Sequence, residues 1–353
     1  MQEKFNKIFN SIISEEKLNQ INILLSNLDL PSNDIYNFLI INHNNLLNIK
    51  QKNFNISSNS EFYANINNKK INNLIGKIIG MIYNLYEFTD HSNFNNYDLD
   101  KINNLLLLNG IYIHNEFIKE EICENIINKI NNKYSFQNIS NNKILDNINL
   151  YNTSSGTTWI KNHKDIISIS EVQQIATDPF ILNVAQNYLQ CKPILIQTNF
   201  WVSCAGSNDQ TNFFHQDYDD VNFLKVFIYL NDIDDDNGPH SYVKGSLNNM
   251  ITPIDYKPSK RLDDDYINEK YGENVIKITG KKGTIIFEDT NGFHKGTILN
   301  KGYRFMLQLQ YASSTKFLDN KINFINDLTE KELPKLYEEK NKYPDTYFIY
   351  NFI

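Results

Sequence analysis

Two patterns of apolar spacing divide the chain. Up to about residue 105, apolar residues recur at three- and four-residue intervals, as in the segment 71–86, and this spacing predicts helices with one buried face. Asparagine-rich stretches at 42–67 and 90–96 separate such segments and predict polar loops. After Pro193 the apolar residues come in short β-branched or aromatic runs, which predict strands. A helical first part is therefore followed by a β-rich part.

The region between these two parts mixes both patterns. A short strand is predicted within 105–117 and a helix over 118–131. Asp178-Pro179 predicts a helix start, because a capping carboxylate precedes a proline at the first helical position. The main strands are predicted at 193–204, 223–230, 284–288 and 304–311. Helices followed by antiparallel-looking strands indicate an α+β fold with a mainly β core, namely a double-stranded β-helix (a jelly-roll or cupin-like barrel) with flanking helices and a helical N-terminal region.

Three regions are expected on this basis. Residues 1–104 form a helical, Asn-rich accessory region, and 105–315 form the jelly-roll domain. Residues 316–353 form a C-terminal helical and aromatic extension packed on the core.

Composition narrows the class of protein. The chain has 353 residues, 41% of them hydrophobic, and a net charge of -7. This balance disfavours nucleic acid as a partner, because phosphate binding needs clustered Lys and Arg. No stretch approaches ~18 uninterrupted apolar residues, so no membrane span is predicted. The three cysteines, Cys123, Cys191 and Cys204, are far apart and odd in number, which favours a reduced, cytoplasmic protein over a disulfide scaffold.

Histidine is scarce, and two of the seven histidines open an H-x-D triplet. In an extended segment residues i and i+2 face the same way, so His215 and Asp217 can point together into the mouth of a barrel. The other triplet, His163-Lys164-Asp165, leads into a helical pattern and is interpreted as a solvated turn.

His215 and Asp217 could offer one imidazole and one carboxylate to a metal ion. His294 is the candidate for a third ligand, and Arg304 follows it ten residues later. Only two of the 34 basic residues are arginines, Arg261 and Arg304. A guanidinium retained in a chain that otherwise uses lysine suggests a bidentate carboxylate partner. His240 is the alternative to His294 as the third ligand. Ten residues after His240 stands Met250, so no arginine follows it at that distance. Two imidazoles and one carboxylate on one face of a metal are typical of non-heme iron(II) oxygenases that use 2-oxoglutarate.

These motifs resemble the phytanoyl-CoA dioxygenase-like family of iron(II)/2-oxoglutarate-dependent oxygenases. The resemblance covers about 105–315 and is most specific in FFHQDYDDVNFLKVFIYLNDIDDDNGPHSYVKGS (213–246) and GTIIFEDTNGFHKGTILNKGYRFMLQLQY (283–311). It implies that His215, Asp217 and His294 bind Fe(II), and that Arg304 binds the far carboxylate of 2-oxoglutarate.

The resemblance also implies a reaction. Dioxygen would be split while 2-oxoglutarate is converted to succinate and CO2, and an unactivated C–H bond of a small-molecule metabolite would be hydroxylated. The chain departs from the family in two places. Leu247 stands where the family has a histidine after its Gly-Ser pair, and Gly296 stands where a hydroxyl often touches the cosubstrate, with Thr297 as the nearest substitute.

Further candidates lie on the predicted strands. Phe227 matches an aromatic residue of the family that faces the metal, and period-two geometry then brings Lys225 and Tyr229 to the same face. Lys225 needs a buried anionic partner, which could be 2-oxoglutarate, substrate or a structural Asp. Gln197 could contact the cosubstrate or could be a core amide.

Two questions stay open at this point. The alternative function is a non-catalytic metal-binding jelly roll that acts as a ligand sensor or scaffold. The substrate is expected to be neutral or cationic, because acidic residues near the proposed site would repel a polyanion such as a CoA thioester. These residues are Asp219, Asp220, Asp232, Asp234, Asp235 and Asp236.

Overall fold

A computed structural model gives the fold of residues 1–27, 32–50, 69–85, 97–131, 133–139, 141–146, 149–151, 158–161, 163–206, 209–247, 261–315 and 329–342. Its helices are α1 (Gln2–Phe9), α2 (Glu15–Ser26), α3 (Ser32–Lys50), α4 (Lys69–Tyr83), α5 (Leu99–Asn109), α6 (Glu120–Ile130), α7 (His163–Ile167), α8 (Ser170–Ala176), α9 (Pro179–Leu189), α10 (Asp264–Tyr271) and α11 (Pro334–Lys342). Its strands are β1 (Ile111–His114), β2 (Phe136–Asn138), β3 (Ile144–Leu145), β4 (Thr158–Lys161), β5 (Ile194–Cys204), β6 (Phe223–Tyr229), β7 (His240–Val243), β8 (Val275–Ile278), β9 (Ile285–Glu288), β10 (His294–Gly296) and β11 (Tyr303–Ala312).

The N-terminal part is helical, as its apolar spacing predicts. The loop predicted from residue 42 is wrong for 42–50, which belong to α3. Asparagine there is structural, because the buried amide oxygen of Asn42 accepts hydrogen bonds from the backbone and hydroxyl of Thr315. The rest of that stretch and the stretch 90–96 lie outside the described residues.

The predicted strand within 105–117 is confirmed only for β1. The first residues of the predicted region, up to Asn109, belong to α5. This helix is capped by Gly110, which has a φ of +80°. A left-handed residue stops a helix, and glycine adopts that conformation without a Cβ clash. The predicted start of α9 is confirmed, since the Asp178 carboxylate accepts hydrogen bonds from the backbone N–H groups of Phe180 and Ile181.

Two antiparallel sheets form the β part. The larger sheet has the strand order β1-β9-β6-β11-β5-β4-β2-β3, and the smaller has β10-β7-β8. All four main strand predictions are confirmed within two residues of their ends. Strands β7, β8 and β10 were not predicted. Strands β7 and β10 carry no distinctive apolar run, whereas β8 has the short β-branched run VIKI.

The sheets share a hydrophobic cluster. Phe227, Ile286 and Met306 of the larger sheet pack with Tyr242 and Ile278 of the smaller one. The other face of the larger sheet joins the main core, which includes side chains of α1–α6, α8 and α9. Of the C-terminal extension, 329–342 is described, and Leu333 and Leu336 are buried in that same core. No described helix is long and apolar enough to cross a membrane.

Candidate metal centre

His215, Asp217 and His294 come together at the sheet interface. One ligand atom from each lies within 4.8 Å of the others. Asp217 Oδ2 is 3.3 Å from His294 Nε2, and its Oδ1 is 3.8 Å from His215 Nε2. The chemistry of this donor set fits a divalent metal, and two imidazoles with one carboxylate favour Fe(II) with open positions on the other face.

Backbone pairing brings these distant segments together. The N–H groups of His215 and His294 each donate to the other residue's carbonyl, both at 3.0 Å, and the Asp217 N–H donates to Thr290 at 2.8 Å. The two histidines are therefore opposite partners in an antiparallel bridge. Their rings consequently lie side by side, with centroids 4.2 Å apart.

Each histidine ring is oriented through its other nitrogen. Nδ1 of His215 lies 2.9 Å from the Phe213 carbonyl, and Nδ1 of His294 lies 3.0 Å from the Gly292 carbonyl. A carbonyl only accepts, so each Nδ1 carries a proton, and each Nε2 is the nitrogen that faces Asp217. Burial lowers the pKa of His215 well below its usual value, which keeps this imidazole neutral and able to ligate.

Lys225 holds the carboxylate ligand. Its ammonium is 2.5 Å from Asp217 Oδ2 and 3.1 Å from Asp219 Oδ2. Burial alone would raise the pKa of Asp217, but Lys225 and the two imidazoles lower it well below its usual value. Burial alone would likewise lower the pKa of Lys225, yet the two carboxylates raise it. Asp217 therefore stays ionised, and the buried partner expected for Lys225 is a pair of Asp side chains.

A cavity of about 230 Å³ opens onto these ligands. This volume is several times that of one water molecule, ~30 Å³, so the cavity can admit a small ligand. Its wall combines apolar, polar and cationic side chains. The lining residues are Trp201, Thr211, His215, Asp217, Lys225, Phe227, His240, Arg261, His294, Gly296, Arg304, Met306 and Gln308.

Arg304 enters this cavity from β11 and is only 4% exposed. Its guanidinium donates to the Gly238 carbonyl and, at 3.1 Å, to the Ser203 hydroxyl, while its Nε has no hydrogen-bond partner in the described chain. Burial lowers its pKa. A buried guanidinium with only neutral hydrogen-bond partners is costly, which indicates a place for an anionic ligand.

Glycine at position 296 makes room for this guanidinium. A Cβ there would lie 2.6 Å from Nη2 of Arg304. Thr297, the predicted substitute contact, is not part of the cavity wall, and its hydroxyl lies 2.9 Å from that of Ser241. The family often has a hydroxyl residue at this position. Glycine stands there in this chain because the Arg304 guanidinium occupies the space that a side chain would need.

The remaining predicted residues divide between the wall and the core. Phe227 lines the cavity as expected. Gln197 is not among the lining residues, but its side-chain oxygen is 3.5 Å from the amide of Gln308, which is. Tyr229 does not line the cavity either, and its hydroxyl donates to Ile278 at 2.8 Å. The side chain of His163 lies outside the described residues.

Sequence reasoning missed two features of the wall. Arg261 lines the same cavity as Arg304, and the rarity of arginine could have identified it. His240 also lines the wall, but its Nε2 is 3.0 Å from the Glu288 carboxyl and it is not in the ligand group. Burial raises the pKa of Glu288 to about 8 and lowers that of His240 well below its usual value, so the pair is neutral near pH 7.

The loop before His294 is fixed from the N-terminal region. Asp289, fully buried, accepts hydrogen bonds at 2.6 Å from Lys69 of α4 and at 2.9 Å from the Asn291 backbone, and also accepts one from the Tyr188 hydroxyl. Lys69 also donates to Asn222. Helix α4 thus contacts the segment that leads to His294.

The acidic residues near the site are held by other groups. Asp219 pairs with Lys225, Asp220 accepts from Ser314, Asp232 pairs with Lys281, and Asp236 pairs with Lys301. None of the six acids lines the described part of the cavity. These six acids therefore do not form the described wall of the cavity, and the expectation of a neutral or cationic substrate stays a prediction.

Comparisons with known proteins found only distant structural similarity. No protein-family model and no curated protein matches the chain. Solved structures similar to it include EctD from S. alaskensis with bound Fe (15% identity, TM-score 0.43, covering 65% of this chain and 80% of that one). A second is the non-heme alpha ketoglutarate dependent epimerase SnoN from nogalamycin biosynthesis (12% identity, TM-score 0.43, covering 60% of this chain and 80% of that one). A third is AviO1 from Streptomyces viridochromogenes Tue57 (10% identity, TM-score 0.41, covering 61% of this chain and 95% of that one). At these identities and TM-scores a function has to be argued from the site itself.

Proposed function

We propose that this chain is an iron(II)- and 2-oxoglutarate-dependent dioxygenase that hydroxylates an unactivated C–H bond of a small-molecule metabolite, releasing succinate and CO2. One observation carries the proposal. The buried guanidinium of Arg304 has no carboxylate among its hydrogen-bond partners in the described chain, and it faces the same cavity as the His215, Asp217 and His294 ligands.

His215, Asp217 and His294 would hold the iron, which when bound supplies the activation of dioxygen with 2-oxoglutarate. Arg304 would bind the far carboxylate of that cosubstrate as a fork, with Ser203 and Gly238 fixing its orientation. This role explains why a guanidinium remains buried with no carboxylate among its hydrogen-bond partners in the described chain.

Neighbouring side chains would support the site without touching the metal. Lys225 would keep Asp217 ionised and fixed in orientation, which favours the structural alternative for this lysine over direct cosubstrate binding. Phe227, Trp201 and Met306 would form an apolar wall that excludes water.

The same proposal covers the type of β fold and the roles of the three regions of the chain. The two antiparallel sheets would form the double-stranded β-helix of a phytanoyl-CoA dioxygenase-like domain over 105–315. Residues 1–104 would then be an accessory region that fixes the loop before His294 through Lys69 and Asp289, and 316–353 an extension packed on the core.

The test measures 2-oxoglutarate binding by calorimetry in the presence of Fe(II), without oxygen. Arg304→Met should weaken 2-oxoglutarate binding about 10- to 150-fold, the equivalent of one charge-assisted hydrogen-bonding group. Arg304→Lys should recover only part of the affinity, because an ammonium lacks the fork. Lys277→Met removes an exposed positive charge on β8 and is the matched control.

Turnover then separates the two functions. Succinate formation that needs both Fe(II) and 2-oxoglutarate supports the oxygenase. Arg304→Met with wild-type affinity for 2-oxoglutarate would overturn the proposal. Metal binding without succinate formation would favour the sensor or scaffold.

A further inference from the structure

His240 lines the cavity but is not one of the candidate metal ligands. It is only 3% exposed. One ring nitrogen, Nε2, lies 3.0 Å from the Glu288 carboxyl, whereas Nδ1 has no hydrogen-bond partner in the described chain. A buried polar atom without a partner costs stability, and a molecule bound in the cavity can supply that partner.

Other polar side chains of the wall already have partners in the protein. Trp201 donates to Gln308 at 3.0 Å, and the Thr211 hydroxyl donates to Asp209. Lys225 is held by its two Asp side chains. The Nδ1 atom of His240 differs from these groups, since a ligand can bond to it without breaking a contact within the protein.

His240 lies between a metal ligand and Arg304. As the first residue of β7 it is the antiparallel partner of Gly296 on β10, the glycine that makes room for the Arg304 guanidinium. Two residues earlier, the Gly238 carbonyl accepts a hydrogen bond from that guanidinium. On the other side, the ring of His240 lies 5.8 Å from the ring of His294, measured between centroids. A molecule that reaches from the metal to Arg304 would therefore lie along the ring of His240.

Glu288 and Phe227 fix the orientation of this ring. The Phe227 ring packs against it with centroids 5.0 Å apart, and the Glu288 carboxyl, 0% exposed, pairs with no lysine or arginine in the described chain. A buried pair without a countercharge is least costly when both partners are neutral. The carboxyl O–H then donates to Nε2, and the ring proton lies on Nδ1. The pKa of Glu288, raised by burial to about 8, agrees with this arrangement.

We infer that the Nδ1–H group of His240 donates a hydrogen bond to 2-oxoglutarate at the end nearer the metal, while Arg304 binds the far carboxylate. This inference rests on the proposed function and adds a second cosubstrate-binding residue to it. The oxygens of an ionised 2-oxo acid only accept, so they match a donor on the wall. Glu288 is then a positioning residue, which acts through His240.

Calorimetry with Fe(II), without oxygen, measures the 2-oxoglutarate affinity of each variant. His240→Phe keeps a ring but removes its nitrogens, and it should weaken binding at least ~10-fold. Because this change leaves Glu288 unpaired, the double variant His240→Phe with Glu288→Met is included and should show the same loss. His114→Phe makes the same exchange outside the described cavity wall and should keep the wild-type affinity.

Two further comparisons locate the hydrogen bond. 2-Oxobutanoate lacks the far carboxylate, so its binding should weaken in His240→Phe and change little in Arg304→Met; the reverse pattern would overturn the placement of His240 at the metal end. Glu288→Gln should retain more 2-oxoglutarate affinity than Glu288→Met, because an amide N–H can still donate to Nε2. Equal affinities of these two variants would contradict the positioning role of Glu288.

The outcomes separate this inference from the proposed function. Wild-type 2-oxoglutarate affinity in the double variant would overturn the inference, and the oxygenase would stand if Arg304→Met still weakens binding. A parallel fall of Fe(II) affinity in an anaerobic metal titration of His240→Phe would also overturn it, because His240 would then act through His294. If the wild-type protein with Fe(II) does not bind 2-oxoglutarate at all, the proposed function itself fails.

Discussion

The ion pair between Lys69 and Asp289 gives the sharpest test of how the N-terminal helices support the site. Lys69 Nζ lies 2.6 Å from Asp289 Oδ2, and the two side chains are 12% and 0% exposed. Removing the ammonium by Lys69→Met leaves a carboxylate in the core with only neutral donors. Breaking a buried pair from one side costs ~3–5 kcal/mol, because the remaining charge is uncompensated.

The chain contains a matched control for this change. Lys129 Nζ lies at the same 2.6 Å from Glu171 Oε2, but these side chains are 43% and 16% exposed. Lys129→Met should cost ~1 kcal/mol or less, because water and ions screen a surface pair. The distance is the same in the two pairs, and burial is the main difference between them.

Urea denaturation followed by circular dichroism measures both effects. With a slope of ~3 kcal/mol per molar urea, Lys69→Met should lower the midpoint by roughly 1 M or more. The double variant Lys69→Met with Asp289→Asn should recover part of the loss, because no charge then remains buried. Equal midpoints for Lys69→Met and Lys129→Met would refute the reasoning.

Two further predictions concern the site. Lys225→Met should weaken Fe(II) binding about 10- to 100-fold, because Asp217 loses the partner that orients it, and unchanged affinity in an anaerobic metal titration would contradict this. Burial raises the pKa of Glu288 from its ordinary value of 4.5 to about 8. Between these two pH values the unfolded chain has lost a proton that the folded chain still holds. The free energy of unfolding therefore falls as the pH rises through this range. Glu288→Gln should flatten this pH dependence by a few kcal/mol in denaturation experiments at pH 5 and pH 8, and parallel curves for the two proteins would contradict the assignment.

The sequence predicted what depends on local pattern. The strands that became β5, β6, β9 and β11 carry their own apolar runs, and the Asp178 cap is a local hydrogen-bonding motif. His215 and Asp217 share one extended segment, so their common direction followed from period-two geometry.

What the sequence did not predict depends on contacts between distant segments. The helix α3 continues through 42–50, where buried Asn42 bonds to Thr315, a partner that no window of the sequence contains. The roles of the acidic residues depend on partners such as Lys281 and Lys301, and the position of Arg261 depends on the pairing of Leu262 with Phe214. In each case tertiary contact decides, and spacing carries no trace of it.

The backbone bridge between His215 and His294 has an evolutionary consequence. Its two hydrogen bonds join main-chain groups, so they can form with any residue except proline at the two positions. A lineage can therefore replace either histidine and lose the candidate metal group while this pairing still forms. Descendants of such a chain would inherit the cavity without that group, which is a ready starting point for a protein that only binds small molecules.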